Sequence, residues 1–194
     1  MAIFKPKKHS GQPRAYAFID SQNLNLGTQK AGWKMDWRKY RRFLREKYNV
    51  TNAYMFIGYM QEFEDIYKQL HDAGFLVVLK PTQDLSKPQE EKSDQQTEKP
   101  EDKKIIKGNI DADLVLWAMK ELKNYDKAII VSGDGDFHSL IEYLVSQNKL
   151  LHIMTPNWQF SQLLKEFESY IVRIDKLRHE LEYRNSRPKH NKQS

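Results

Sequence analysis

The sequence contains no cysteine among its 194 residues. Disulfide frameworks, thiolate metal sites and thiol nucleophiles are therefore excluded. It also lacks an apolar run of membrane-spanning length, and its basic first 14 residues have no apolar core of the signal-peptide kind. From these absences we expect a soluble, cytoplasmic protein that makes no membrane contact. Its length favours a single domain.

Positive charge exceeds negative charge, with 32 Lys and Arg against 26 Asp and Glu and a formal net charge of +6. The excess permits a polyanionic partner but does not prove one, because many basic proteins bind no nucleic acid. The basic residues concentrate in residues 1–14, 30–47 and 178–192. We expect the first of these segments and the end of the last one to be flexible and basic.

Short apolar runs alternate with segments of helical spacing. Strands are predicted at residues 15–20, 53–59, 75–80, 128–132, 150–154 and 170–174, and helices at residues 37–48, 62–72, 111–124, 137–146, 160–167 and 176–183. The alternation predicts an α/β domain over residues 15–175, with a mainly parallel sheet covered on both faces. Residues 176–194 form a predicted C-terminal helix and basic tail.

Residues 82–104 differ in composition from the rest of the chain. They include Pro88 and Pro100, many charged and amide side chains, and almost no apolar ones. Such a segment buries too little apolar surface to offset its ordering entropy, so we predict a flexible charged insertion. A solvated charged helix is the alternative, which the two prolines disfavour.

Aspartates follow two predicted strands and open one helix. Asp20 ends the first strand, Asp134 and Asp136 follow the fourth, and Asp111 begins the helix before that strand, with Asp113 two residues on. Ligands of open α/β sheets bind outside the carboxyl ends of the strands. If the first and fourth strands are neighbours, Asp20 and Asp134 emerge side by side, and Asp111 can approach the same edge.

Several carboxylates at one edge repel one another unless a cation neutralises them. Mg²⁺ and Mn²⁺ prefer such oxygen ligands. A bound cation of this kind lowers the pKa of water and stabilises the charge that develops in phosphodiester hydrolysis. Asn23, after the first strand, and Ser132, at the end of the fourth, are candidates for hydrogen bonding to phosphate or for orienting a carboxylate.

Each motif alone has a structural explanation of equal weight. Asp20, Asn23 or Asp111 can cap a helix, and residues 132–136 have the composition of a turn. A calcium loop at Asp134 fails, because its sixth and twelfth positions lack the required glycine and glutamate. A phosphatase with an aspartate nucleophile at Asp134 and Asp136 leaves Asp20 and Asp111 without a role.

Three segments together resemble the NYN domain family, the LabA-type branch of the PIN-like nucleases. They are FIDSQNL at residues 18–24, KGNIDADLVLWAM at residues 107–119 and VSGDGDFHSLIEYL at residues 131–144. The resemblance covers residues 15–175. It implies a three-layer α/β/α, Rossmann-like (PIN-like) fold, an RNA substrate and a Mg²⁺ or Mn²⁺ site. The implied metal ligands are Asp20, Asp111, Asp134 and Asp136, with Asn23 and Ser132 beside them.

One feature departs from the family pattern. Many relatives carry a second acid one to two turns into the helix that follows the KG-x-D motif, where this sequence has the apolar residues 114–119. Either Asp113 compensates for that acid or the ligand is absent.

Cations and aromatic side chains are candidates for holding the substrate. Arg38, Arg41 and Arg42 lie on the helix predicted after the first strand, where we expect them near the rim of the site and in contact with phosphates. The aromatic residues of that helix are predicted to be core. Trp33 and Trp158, in predicted loops, are the better candidates for stacking on unpaired bases.

Two functions remain open at this stage. The first is a Mg²⁺- or Mn²⁺-dependent ribonuclease that acts on single-stranded RNA. The second is a catalytically inactive RNA-binding or scaffold module, favoured by the apolar residues 114–119 and the basic tails. Homodimerisation is compatible with a domain of this size.

Overall fold

A computed structural model describes Gly11 and residues 13–81 and 110–184 of the chain. The predicted insertion at residues 82–104 lies outside the described residues, as do most of the N-terminal segment and the tail beyond residue 184.

Six strands form one sheet in which every pair is parallel. They are β1 (Ala15–Asp20), β2 (Val50–Tyr59), β3 (Leu76–Pro81), β4 (Lys127–Val131), β5 (Leu150–Thr155) and β6 (Ile171–Arg173). Their order is β3-β2-β1-β4-β5-β6. All six residues of β1 are buried, as expected of a central parallel strand covered on both faces.

The order of the strands reverses between β1 and β4. These two strands pair in parallel, and Ile19 lies opposite Val131 in the register. The next residue on each strand is therefore Asp20 on one side and Ser132 on the other. This arrangement meets the condition under which the sequence placed Asp20 and Asp134 side by side. It also creates the topological switch point where such sheets bind ligands.

Helices cover both faces of the sheet. They are α1 (Ser21–Lys30), α2 (Trp37–Tyr48), α3 (Glu64–Asp72), α4 (Ile110–Lys120), α5 (His138–Ser146) and α6 (Arg178–Leu181). One apolar cluster joins Ile19 of β1 to Leu44 of α2, and a second joins Phe18 of β1 to Leu114 of α4. Alternate residues of β1 thus serve opposite cores, which gives three layers and confirms the predicted fold class.

Short 3₁₀ segments connect several of these elements. They are Gln61–Phe63, Gly135–Phe137, Gln162–Tyr170 and Ile174–Leu177. Residues 160–167, predicted as a helix, fall largely in the third of these. None of the helices within the described parts of the chain is long and apolar enough to cross a membrane.

Helix α1 was not predicted from the sequence. Its sequence, SQNLNLGTQK, is mostly polar, and Leu24 is its only large apolar side chain that is buried. The helix is held instead at its N-terminus, where the side chain of Asp20 accepts a hydrogen bond from the backbone N–H of Asn23. Consequently the arginine-rich helix α2 is the second helix after β1 and not the first.

Candidate active site

A cavity of about 120 Å³ lies at the carboxyl edge of the sheet, beside β1 and β4. Its lining combines three carboxylates, two amides and two aliphatic side chains. These residues are Asp20, Gln22, Asn23, Leu26, Ile110, Asp111 and Asp134. The three carboxylates come from the end of β1, the first turn of α4 and the residues that follow β4. The topology therefore brings together aspartates that are distant in the sequence.

Asp20 is the most deeply buried of these acids, with 6% of its surface exposed. Its Oδ1 accepts a hydrogen bond of 3.0 Å from the backbone N–H of Asn23, which caps α1. Its Oδ2 accepts a hydrogen bond of 3.2 Å from the hydroxyl of Ser132. The carboxylate is thus fixed by both the helix that follows β1 and the neighbouring strand.

Burial raises the pKa of Asp20 above the ordinary value for aspartate, and the negative charges of Asp111 and Asp134 raise it further. The hydrogen bonds from Asn23 and Ser132 act in the opposite direction, because they favour the charged form, but they only partly offset the rise in pKa. A cation in the cavity would relieve both causes. The electrostatics therefore favour a positively charged ligand.

The residues after β4 form a hydrogen-bonded turn that joins this network. Ser132 is buried, and its hydroxyl accepts a hydrogen bond of 3.1 Å from the backbone N–H of Asp134. The N–H of Gly133 donates to Oδ1 of Asn23 at 2.9 Å. Asp134 in turn accepts from the N–H of Asp136 at 3.1 Å. The backbone of Asp134 is thus linked through Ser132 to the carboxylate of Asp20.

The glycines of this turn allow close packing of the loop that follows β5. A methyl group added at Gly135 would lie 2.4 Å from Oγ of Ser161, and one at Gly133 would lie 3.1 Å from Cβ of Phe160. The backbone N–H of Ser161 also donates to the carbonyl of Gly133 at 2.9 Å. A larger residue at either glycine would displace the loop.

Of the predicted site residues, the structure brings Asp20, Asn23, Asp111 and Asp134 together at the cavity. Ser132 lies behind them, buried, and its hydroxyl donates to the carboxylate of Asp20 and accepts the backbone N–H of Asp134. Of its two predicted roles, these contacts favour orientation of a carboxylate. Asp136 is exposed and lies outside the cavity lining.

The structure places Asp113 outside the lining of the cavity. Its carboxylate forms a salt bridge of 3.0 Å with Lys80, and it is not among the described residues that line the cavity. Of the apolar residues 114–119, Leu114 and Ala118 are fully buried in the core, whereas Leu116 is 61% exposed.

The expectation that α2 lies at the rim is wrong for Arg41. Its guanidinium donates hydrogen bonds to the carbonyls of Gly74, Val50 and Thr51, at 2.9, 3.1 and 2.8 Å. Two of these residues begin β2, so Arg41 lies at the amino edge of the sheet. Arg42 lines a separate surface groove between α2 and α6.

Arg38 is exposed near the start of α2 and is not among the residues that line the cavity. Trp33, predicted to stack on bases, is 5% exposed and belongs to the core, whereas Trp158 is 57% exposed.

The sequence reasoning missed three residues that line the cavity: Gln22, Leu26 and Ile110. Two of them lie on the unpredicted helix α1. Asp20 is the feature of the sequence that could have indicated this helix, because aspartate is a preferred N-cap residue. Its side chain accepts the N–H of Asn23, the third residue of the helix.

Within residues 13–81 and 110–184, no three acidic or histidine side chains are grouped closely enough to form a ready-made metal site. This arrangement still suits Mg²⁺, which usually keeps several waters and takes only one or two protein carboxylates, with substrate phosphate completing its shell. The oxygen donors at the cavity and the raised pKa of Asp20 fit a hard divalent cation.

Comparison with known proteins identifies the family of this chain. The family model of the NYN domain matches residues 14–175. The chain belongs to the NYN domain family. This membership confirms the resemblance inferred from the three sequence segments, and it supports a nuclease-type function for the domain.

Two proteins of known sequence or structure are similar to this NYN domain over most of its length. The Low amplitude and bright protein LabA of Synechococcus elongatus is 23% identical over 169 residues, which cover 85% of this chain and 86% of that protein. The crystal structure of a protein of unknown function from Vibrio parahaemolyticus has a TM-score of 0.63 and 23% identity, covering 85% of this chain and 94% of that chain. At this identity the structural likeness supports the fold alone.

Proposed function

We propose that this NYN domain is a Mg²⁺- or Mn²⁺-dependent ribonuclease that hydrolyses phosphodiester bonds of single-stranded RNA. One observation carries the proposal: Asp20, Asp111 and Asp134, from three separate elements, line one cavity at the switch point of a parallel sheet. Stability alone does not explain this placement, because burial and two neighbouring negative charges disfavour the charged form of Asp20.

The cation would be held by Asp20, Asp111 and Asp134. Some of their carboxylate oxygens would bind it directly, and water would complete its coordination. A divalent ion bound there would lower the pKa of water, neutralise phosphate charge and stabilise the leaving oxygen. Asp136, a ligand implied by the family resemblance, is left out of this set because it is exposed and does not line the cavity.

Asn23 supplies a donor to the cavity. Its Oδ1 is identified as the acceptor by the N–H of Gly133, which can only donate, so the other end of the carboxamide is the NH₂ group. Asn23 lines the cavity, and we assign this NH₂ group to a non-bridging phosphate oxygen of the substrate.

Ser132 positions the carboxylate of Asp20 and the backbone of Asp134. A serine hydroxyl donates one hydrogen bond and accepts others, and Ser132 uses both abilities between Asp20 and Asp134. The position of the Asp134 backbone relative to the carboxylate of Asp20 is therefore set before any ligand binds. Such prior arrangement is the main source of electrostatic stabilisation in enzyme sites.

Exposed cations on α2 are proposed to contact the RNA backbone outside the cavity. Arg38 and Arg42 are exposed, whereas the guanidinium of Arg41 is already engaged by three carbonyls. Contacts between exposed arginines and phosphates strengthen RNA binding without sequence selectivity, and they weaken steeply as the salt concentration is raised.

The proposal is tested by cleavage of end-labelled single-stranded RNA with Mg²⁺, with Mn²⁺ and with EDTA. We expect cleavage with either metal and none with EDTA. Asp134→Asn should lower the rate by at least about 100-fold, the usual loss when one electrostatic contributor is removed. Asp136→Asn is the matched control, because this acid is two residues away and outside the cavity lining; it should retain most of the activity. Equal cleavage in EDTA, or full activity of Asp134→Asn, would contradict the proposal.

A catalytically inactive RNA-binding module is the second candidate. It is favoured by the apolar residues 114–119 of α4, where Leu114 is committed to the core. This function predicts salt-sensitive RNA binding without cleavage in any metal, and the same affinity in Asp134→Asn. Absence of RNA binding would eliminate it.

A further inference from the structure

Trp158 differs from the other three tryptophans in its exposure. It is 57% exposed, whereas Trp33 is buried and Trp37 and Trp117 are partly buried and pack against the two cores. It lies in the loop at residues 156–161, which follows the carboxyl end of β5. The loop is therefore on the same edge of the sheet as the candidate active site.

The loop is fixed by the elements that build the active site. The side chain of Asn157 is buried; its NH₂ group donates to the carbonyl of Gly27 in α1 at 2.8 Å, and its oxygen accepts from the N–H of Gln159 at 2.7 Å. At the other end of the loop, Ser161 donates to the carbonyl of Gly133 at 2.9 Å. The backbone on both sides of Trp158 is thus tied to α1 and to the turn after β4.

The backbone of Trp158 lies close to the turn that bears Asp134, and Trp158 is not among the described residues that line the cavity. Phe160 packs on Gly133, the neighbour of Asp134, and its Cα would lie 3.5 Å from a methyl group added at Gly133. Two residues span at most about 7 Å of chain, so the backbone of Trp158 lies within about that distance of Phe160. An RNA strand with its scissile phosphate at the cavity would have a neighbouring base within reach of the indole.

Arg173 flanks the indole with a guanidinium that is paired with the carboxylate of Asp175. Its guanidinium carbon lies 6.0 Å from the centre of the Trp158 ring system. Two hydrogen bonds to Asp175, Nε to Oδ1 at 3.0 Å and Nη2 to Oδ2 at 2.5 Å, hold the guanidinium in place. The cation–π contact restricts the indole while more than half of its surface stays open to solvent.

We propose that Trp158 is a stacking platform for an unpaired base of RNA next to the scissile phosphate, with Arg173 as its positioning residue. The inference rests on the proposed function. It adds a base of the substrate, outside the cavity, to the groups that the protein recognises. The neighbours of Trp158 along the chain are Asn157 and the exposed Gln159, so polar side chains stand on both sides of the indole in the sequence. A flat aromatic surface of this kind, beside a cation, stacks on any base.

Binding of a fluorescent single-stranded RNA tests the proposal, with cleavage disabled by Asp134→Asn in every protein. Adding Trp158→Ala should weaken binding by about 5- to 150-fold, the range seen when one stacking side chain is removed. Trp158→Phe should restore part of the affinity, and Trp158→Leu should not. Tyr143→Ala is the matched control, because this exposed aromatic lies on α5 in the half that leads to the amino end of β5. It should bind like the parent.

A scan with single abasic nucleotides separates stacking from a general loss of contact. In the parent, one position should be sensitive, and removing its base should weaken binding about as much as Trp158→Ala does. In Trp158→Ala, the same abasic substitution should have no further effect. Equal affinity of parent and Trp158→Ala for intact RNA, or an unchanged abasic sensitivity, would overturn the proposal.

The outcomes distinguish this inference from the function on which it rests. If the wild-type protein cleaves RNA and Trp158→Ala leaves binding unchanged, the stacking role fails and the nuclease function stands. If binding depends on Trp158 but no metal supports cleavage, the stacking role stands and the nuclease function fails. If the protein binds no RNA, both fail.

Discussion

The hydroxyl of Ser132 donates a hydrogen bond of 3.2 Å to Oδ2 of Asp20 and so joins the ends of β4 and β1. The same oxygen accepts the N–H of Asp134. A single buried side chain therefore links the carboxylate of Asp20 to the backbone of Asp134, which is more than a hundred residues away in the sequence.

Ser132→Ala should lower the cleavage rate or the metal affinity by about 10- to 100-fold, the usual loss when a residue that orients a metal ligand is removed. A second measurement separates this positioning role from general destabilisation. The hydrogen bond from Ser132 lowers the pKa of Asp20, so its loss should raise that pKa further, as measured by NMR titration of the carboxyl. An unchanged titration would show that Ser132 does not act on Asp20.

Replacing Asp20 should change how the stability of the protein depends on pH. The native pKa of Asp20 lies above its ordinary value of 3.8, so between these two values the native state binds a proton that the unfolded chain has released. Falling pH therefore favours the native state across this window, and stability is lost as pH rises through the native pKa.

Asp20→Asn removes the loss of stability that accompanies ionisation of Asp20. The substituted side chain still has an oxygen that accepts the N–H of Asn23, since Asn and Asp are equally good N-caps. The variant should match the wild-type free energy of unfolding below pH 3.8 and exceed it at neutral pH in metal-free buffer. Urea unfolding at a series of pH values measures the difference. A difference that is independent of pH would contradict the raised pKa.

Gly27→Ala should destabilise the protein, although alanine is the better helix former. Within a helix this substitution ordinarily stabilises by about 1 kcal/mol. Here the added methyl group would lie 2.3 Å from Cβ of Pro156, and overpacking of this kind costs about 1–3 kcal/mol. We expect a net loss of stability in thermal unfolding, together with weaker RNA binding, because Asn157 and the Trp158 loop are held by the same residue. A stabilised variant would show that α1 and the loop are not in close contact.

Arg41 and Arg42 should respond differently to substitution by alanine. Arg41→Ala removes three hydrogen bonds to backbone carbonyls and should cost about 1–3 kcal/mol of stability without changing RNA affinity. Arg42→Ala should leave stability within about 0.5 kcal/mol, because the side chain is exposed. It should also reduce the salt dependence of RNA binding by about one phosphate contact. An effect of Arg41→Ala on affinity alone would restore its predicted role in substrate binding.

Much of this fold could be predicted from the sequence, because buried parallel strands are short continuous apolar runs and the helices between them have apolar spacing. The meeting of Asp20 with Asp134 at one edge was expected only on the condition that the first and fourth strands are neighbours, and the structure supplies that pairing. Helix α1 could not be found in this way, since it is stabilised by a capping side chain and one buried leucine. Its omission placed α2 directly after β1 and led to the wrong expectation for Arg41.

The partners of individual side chains could not be predicted from the sequence either. Composition does not show that Asp113 pairs with Lys80, that Ser132 is buried between two acids, or that Trp33 belongs to the core while Trp158 does not. Each of these depends on contacts between residues distant in the chain. The motifs identify the family and the edge of the sheet, whereas three-dimensional packing decides which carboxylates face the cavity.

One divalent cation is proposed to be held by Asp20, Asp111 and Asp134. Calorimetric titration of Mn²⁺ tests this site most directly, with the wild-type protein and four Asp→Asn variants in the absence of RNA. We expect one class of Mn²⁺ site in the wild-type protein, lost or strongly weakened in Asp20→Asn, Asp111→Asn and Asp134→Asn and retained in Asp136→Asn. Mn²⁺ binding that is unchanged in the first three variants, or that disappears only with Asp136, would contradict a cation site in this cavity.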